Sequence, residues 1–329
     1  MRQLVTILTF IGSLAAGMLV ARIKFVSRFR FTGQILMICL YVLLFFMGFR
    51  LGRNDNVVSS LGSVGALSLA FAAATAAGTA MALFLGYVLF FRKKKPGDSP
   101  EGAGTAGNTA ENNRKNTLLP LFREPLKLFF LVVAGFCAGF FIPVFPGFKA
   151  EKLTSYVLYV LLFLVGVDMV KSGVNLKQSL LQPETIFLPL GTVIGSLAGG
   201  LLLKVVLVLA GGGRYLPNLH LNEVLALSAG FGWYSLSGVI ITNLGDPVLG
   251  SVGFMSNLFR ESIALLTIPL IARTRYPRIG IGVAGATSMD VTLPLIERSC
   301  GPSAVPQAIT SGAVLSLLVP LLVPVFYNL

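Results

Sequence analysis

Residues 228–245 read SAGFGWYSLSGVIITNLG. The stretch is apolar enough for a bilayer and holds the chain's one tryptophan, Trp233, yet Gly230, Gly232, Ser235, Ser237 and Gly238 interrupt it too often for a regular membrane helix. In hydrocarbon every backbone N–H and C=O must find an internal partner. Irregular backbone is therefore tolerated at membrane depth only where protein buries it or where it lines a cavity.

Composition is what places this stretch in a membrane. The chain is 55% hydrophobic and only 12% charged, with a mean hydropathy of +0.82, whereas charged residues make up roughly a quarter of a soluble domain. Apolar runs close to the ~18 residues needed for a crossing recur from Leu4 to Leu322, separated by short polar or basic connections, and no soluble domain of any size remains. The net charge of +13 comes from basic residues placed between the apolar runs. There they set orientation and meet anionic lipid, so lipid rather than nucleic acid is the expected partner. Cys39, Cys137 and Cys300 are odd in number and far apart, which gives neither a metal-ligand spacing nor a disulfide framework and points to packing. Residues 4–21 follow a single Arg2, but the stronger cluster of Arg22, Lys24, Arg28 and Arg30 comes after them. With no small-residue cleavage site, the run reads as a first membrane helix with its N-terminus outside, not as a signal peptide.

The pattern predicts an all-α polytopic membrane protein, a single domain over 1–329. Eight crossings are expected at 4–21, 31–51, 63–91, 126–145, 153–170, 185–210, 251–272 and 304–327. Residues 92–123, opening RKKKPGDSPEGAGTAGN, cannot bury a core and are expected to form a flexible cytoplasmic loop. With the basic loops in the cytoplasm, residues 172–182 and 273–278 join them only if 221–243 and 279–297 do not cross. These two segments are therefore expected to be re-entrant or broken helices, with both termini outside.

Internal repetition agrees with this. TAAGTAMA (75–82) aligns with TVIGSLAG (192–199), and YVLLFFMG (41–48) with YVLLFLVG (159–166). Three crossings separate the copies, so 1–91 and 124–211 are expected to be inverted repeats. YSLSGVIITNLGDP (234–247) matches MDVTLPLIERSCGP (289–302) more weakly, in a register that sets Ser235 opposite Asp290. The units 221–272 and 279–327 then each consist of one re-entrant segment and one helix. Inverted repeats with discontinuous helices near the midplane are the architecture of secondary transporters.

An Asp at a helix centre in the membrane costs on the order of 3 kcal/mol, so each intramembrane carboxylate needs a reason. Asp290, in GATSMDVTLPLI, lies within the second broken segment and is the leading candidate, with a helix cap as its ordinary structural alternative. Asp55 follows the second helix in MGFRLGRNDN, where Arg50 and Arg53 could make a plain interfacial cluster with it. Asp168 ends the fifth helix, with Lys171 one turn away as an ordinary neighbour. Glu261 is interior to the seventh helix beside Arg260; adjacent helical residues point in different directions, so one of the two is expected to pair with another helix. Trp233 and Tyr234 are either packing anchors or an aromatic face for an ammonium group. Ser235, Ser237 and Ser288 are the hydroxyls of the two broken segments. No G-x-S-x-G elbow surrounds the serines and the lone His220 lies outside the segment, which argues against a hydrolase, a metal site or any cofactor. A channel and a structural scaffold remain as rivals to a transporter.

At GFGWYSLSGVIIT (230–242), NLFRESIALLTIPLI (257–271) and GATSMDVTLPLIERS (285–299) the chain closely resembles the bacterial lysine exporter family LysO. The resemblance extends to YVLLFFMG with Asp55 downstream and to LLFLVGV with NLKQ (175–178). It implies export of L-lysine, and of analogues such as thialysine, across the inner membrane, with Asp55 and Asp290 as intramembrane acidic residues important to transport. Where the family pattern carries an Asp ahead of L-x-R-E, this chain has Asn257. Exporting a cation against an inside-negative potential costs roughly 2.3 kcal/mol per charge per 100 mV, so exchange for inward protons is the simplest drive. Asp290 is expected to alternate between proton and lysine, with Asp55 a second acidic group on the route. Backbone N–H groups at half-helix N-termini are expected to take the substrate's carboxylate.

Overall fold

The computed structural model describes residues 2–21, 32–53, 55–91, 114–141, 150–171, 182–209 and 219–329. Helices account for nearly all of them. The helices are α1 (Arg2–Val20), α2 (Thr32–Gly52), α3 (Asp55–Phe90), α4 (Arg114–Phe141), α5 (Ala150–Lys171), α6 (Pro183–Leu209), α7 (Leu221–Ser228), α8 (Tyr234–Leu244), α9 (Pro247–Ile271), α10 (Ile279–Ala284), α11 (Leu293–Cys300) and α12 (Val305–Tyr327). A 3-10 turn, Gly285–Met289, follows α10, and another, Pro302–Ala304, precedes α12.

The protein is an all-α polytopic membrane protein. Five stretches are long and apolar enough to cross a bilayer: Gln34–Gly52, Val64–Phe90, Pro183–Leu209, Pro247–Ile271 and Pro302–Tyr327. The apolar parts of α1, α4 and α5 are shorter, at Leu8–Val20, Lys127–Phe141 and Lys152–Val167. Large side chains such as Leu89, Phe90, Phe141 and Leu209 are exposed on the outer helix faces, as suits helices whose surroundings are lipid. Two helices begin well before the expected crossings: α3 at Asp55 and α4 at Arg114, the latter within the stretch read as loop. Arg114 and Lys115 are polar yet good helix formers, and Leu118 and Leu119 follow them; residues 92–113 lie outside the described ones. Cys39 and Cys300 are half-buried as expected of packing residues, but Cys137 is exposed on α4.

Small residues set the helix contacts, since the bilayer supplies no hydrophobic force between helices and close backbone approach must do the work. Gly48 and Gly52 of α2 abut the backbone of Val132 and Phe136 in α4, so these two helices run in the same direction. Gly17 of α1 abuts Phe163 of α5 in the same way, and Ser13 Oγ donates to the Tyr159 carbonyl at 2.6 Å. In contrast, Gly78 of α3 meets Gly195 and Gly199 of α6 while Gly86 meets Phe187, an antiparallel pair. The stretches that were anomalous in sequence pack on this α3–α6 pair.

Both anomalous stretches double back. Asn222, at the start of α7, donates to the carbonyl of Tyr327 at 3.0 Å, and Asp246, just beyond α8, is also within electrostatic reach of Tyr327. The segment 221–246 thus begins and ends beside the end of α12. Likewise Cys300 Sγ lies 3.5 Å from the Pro277 carbonyl, so 279–300 returns to where it began. That end is fastened to α3 and α6, where Tyr276 stacks on Tyr87 at 5.4 Å and Arg278 pairs with Glu184.

Candidate functional site

The tips of the two doubled-back segments touch. Ala286 N–H donates to the Phe231 carbonyl at 2.9 Å. Three tip residues have left-handed backbone: Phe231 at φ 46°, Gly232 at φ 90° and Gly285 at φ 67°. A phenylalanine in that region costs on the order of 1–2 kcal/mol, and strain of this kind persists only where the surroundings enforce it, often at functional sites. A side chain on Gly285 would overlap the Phe231 carbonyl, so the closeness of the tips itself demands glycine there.

Helix α9 runs beside the tip contact and supplies three polar side chains to it, Asn257, Arg260 and Glu261. Asn257, 3% exposed, accepts from Gly232 N–H through Oδ1 at 2.7 Å, and its Nδ2 donates to Ser237 Oγ at 3.2 Å and to the Gly253 carbonyl at 2.9 Å. An amide can both accept and donate, which an ionised carboxylate at this position cannot. Arg260 is buried, and its guanidinium donates to Ser196 Oγ at 2.8 Å, Thr79 Oγ1 at 3.1 Å, and the carbonyls of Val283 and Gly282 at 3.4 Å each. The two carbonyls close the C-terminal end of α10, the negative end of its dipole, where a cation is favoured. The two hydroxyls are themselves anchored, Thr79 donating to the Thr75 carbonyl at 2.8 Å and Ser196 to the Ser228 carbonyl of α7 at 2.7 Å. Glu261 is 1% exposed, and neither of its carboxylate oxygens has a hydrogen-bond partner among the described residues. Asp290 is close enough for the two negative charges to repel.

Asp290 itself is exposed, just past the 3-10 turn, with one carboxylate oxygen accepting from Val291 N–H at 2.6 Å. Its neighbour Ser288 is buried and donates to the Ala308 carbonyl of α12 at 2.9 Å, which ties the second tip to that helix. On the first tip Trp233 is half-buried at the start of α8. The buried Tyr234 sets its ring edge-on to Phe254 at 5.7 Å. Ser235 and Ser237 are both buried, Ser237 against Asn257. The helix of Asp55 is described, as it opens α3, but the side chains of Asp55 and Asp168 fall outside the described residues. The fold thus brings Asp290 within electrostatic reach of Glu261. Of the adjacent pair on α9, Arg260 is the one that bonds other helices.

Sequence reasoning missed Thr79 and Ser196, which appear there only within the aligned stretches 75–82 and 192–199. A signal for them was present, since the alignment of 75–82 with 192–199 sets these two hydroxyls at equivalent positions.

Comparison with known proteins bears on this geometry directly. The pattern of the family described as Lysine exporter LysO matches residues 11–97 and 129–327, which include both tips and all of α9. The chain is 35% identical over 294 residues to "Lysine exporter LysO" of Escherichia coli (strain K12), covering 89% of each. It is also 38% identical over 171 residues to "Putative lysine exporter" of Haemophilus influenzae, covering 52% of this chain and 82% of that one. No solved structure matches. Matches of this extent, running through the tips and the charged turn of α9, establish that the chain belongs to the lysine exporter LysO family.

Proposed function

We propose that this protein exports L-lysine, and analogues such as thialysine, across the bacterial inner membrane in exchange for protons. The observation that carries the reading is Glu261. A buried carboxylate without a hydrogen-bond partner is costly in any fold and more so in a membrane, and an exporter of a cation has a use for one that proton and ammonium occupy in turn. Burial favours the uncharged form of a carboxylic acid, and an arriving cation favours the charged form, so the two ligands compete for one group. Asp290, exposed on the approach and beside Glu261, meets the second ammonium. Asp55 is a further acidic group on the route. Trp233, Tyr234, Ser235, Ser237 and Ser288 shape and tie the tips.

In the bilayer the segments 221–246 and 279–300 enter and leave on the same face, one from each side. Six long helices, three in each inverted half, surround them together with α9 and α12. The positive-inside rule then puts the basic connections around 22–30, 92–95 and 273–278 in the cytoplasm and both termini outside. Opening one tip or the other would admit substrate from one side at a time.

Efflux of labelled lysine from proteoliposomes tests the reading. An imposed inward proton gradient should accelerate efflux, and Glu261→Gln and Asp290→Asn, folded and inserted, should reduce it to the protein-free level. Efflux indifferent to the gradient, or wild-type rates from Glu261→Gln, would refute proton exchange at this group.

A further inference from the structure

Arg260 and Glu261 are the two charged side chains among the buried residues described, and they are consecutive in the chain. They do not pair. The guanidinium bonds two hydroxyls and two carbonyls, and the carboxylate bonds none of the described residues. Were their purpose only to hold helices together, mutual pairing would be the cheapest arrangement, because a buried charge is least costly beside its opposite. Adjacent helical positions instead point the two groups apart, and each is left without an opposite charge in hydrogen-bond contact among the described residues.

We propose that Arg260 is the subsite for the substrate's α-carboxylate, an inference that rests on the export reading above. Lysine carries one carboxylate and two ammonium groups. Arg260, Glu261 and Asp290 carry one positive and two negative charges, the complement group by group and in sum. The guanidinium lies directly beneath the second tip, with an Nη atom 3.7 Å from the place a Gly285 side chain would take. When the Ala286–Phe231 contact opens, that atom faces the gap. Its bonds to the Gly282 and Val283 carbonyls, at 3.4 Å, are long for N–H···O bonds and cheap to surrender. One of the five guanidinium N–H groups is uncommitted beyond the four bonds described. A carboxylate could therefore take a two-pronged contact while Ser196 and Thr79 keep the side chain in place.

The test compares lysine with cadaverine, which keeps two ammonium groups and lacks the carboxylate, as competitors for labelled lysine on the purified full-length protein. The native protein should prefer lysine by about thirtyfold, the scale of a charge-assisted two-pronged contact. Arg260→Gln should bring the preference below about threefold, and Arg260→Lys, which keeps the cation without the fork, should fall between. An Arg260→Gln protein that retains the native preference overturns the subsite. If neither variant folds, the native protein still decides, since a preference below about threefold overturns the subsite and one of about thirtyfold supports it. A native protein that binds neither compound refutes the export reading as well; one that binds both equally leaves export standing and refutes the carboxylate subsite alone.

Discussion

Gly285→Ala should pry the two tips apart. Gly285 sits at φ 67° and ψ −129°, a conformation an L-residue rarely adopts, and the new methyl would overlap the Phe231 carbonyl that now accepts from Ala286. Backbone strain of this kind costs on the order of 1–3 kcal/mol, and loss of the buried hydrogen bond about 1 kcal/mol more. Taking about 3 kcal/mol in all, the population with joined tips falls relative to the open one by roughly 150-fold. The assay is alkylation by a water-soluble maleimide of a single cysteine at Ala286, 3% exposed in the native arrangement, with Cys39, Cys137 and Cys300 replaced. Labelling should accelerate by about two orders of magnitude if opening is fast and population sets the rate. Gly301→Ala is the control: its φ of 89° imposes similar strain, but no atom lies within 4 Å of the added carbon. It should leave labelling at 286 within about threefold. Unchanged labelling in Gly285→Ala, or equal acceleration in Gly301→Ala, would show that the tip contact is not held in the way described.

The hydroxyls around Arg260 should be unequal. Thr79→Val removes one bond to the guanidinium, worth about 1.5–3 kcal/mol; Ser196→Ala removes its counterpart and also the tie from α6 to the Ser228 carbonyl of α7. Thermal denaturation in detergent should therefore show the larger drop for Ser196→Ala, and the reverse order would contradict the assignment. Asn257→Ala strips Gly232 N–H of its acceptor at about 1–3 kcal/mol and should raise maleimide labelling of a cysteine at Ser235 by tenfold or more; no rise would mean the amide does not hold that tip. Glu184→Gln breaks the pair that fastens the 273–278 end to α6, whose side chains are only 27% and 17% exposed, so it should cost on the order of 1–3 kcal/mol and respond little to salt. A loss of thermal stability under about 0.5 kcal/mol would show that the pair does not fasten that end.

How far the sequence reveals this arrangement depends on what kind of signal each part leaves. The long helices are legible because lipid forces long apolar runs, and the two anomalous segments because glycine and serine break such runs. Helix ends are less so: α4 starting at Arg114 depends on residues that are polar in composition yet helical in preference. Glu261 and Asp290 announce themselves as charges in apolar surroundings. Arg260 does so too, but its partners do not, because a hydroxyl at an α3–α6 contact looks the same in sequence whether it fills space or receives a guanidinium. Asn257 was visible only as a departure from the family pattern. Its use became clear from the three bonds that an amide, and not a carboxylate, can make at once.

The weak register between 234–247 and 289–302 has a consequence at the tips. A two-fold relation between the two units, as we propose, requires equivalent residues to meet where its axis passes. Continued backward, that register pairs Phe231 with Ala286, and these two residues share the tip-to-tip hydrogen bond. The same offset pairs Asn257 with Gly312. In the first unit the amide of Asn257 reaches out to fasten Gly232; in the second, Gly312 carries nothing, and Met289 and the Ala286 carbonyl come directly against α12. At this pair of positions the first tip is held by a side chain and the second by backbone contact, while the Ser288 hydroxyl adds a side-chain tie to the second and Gly238 adds a backbone contact with α9 to the first segment. Equivalent positions under one symmetry thus give unequal fastenings. We propose on this ground that the first tip, whose α7 and α8 ends lie beside the end of α12, is the easier of the two to release.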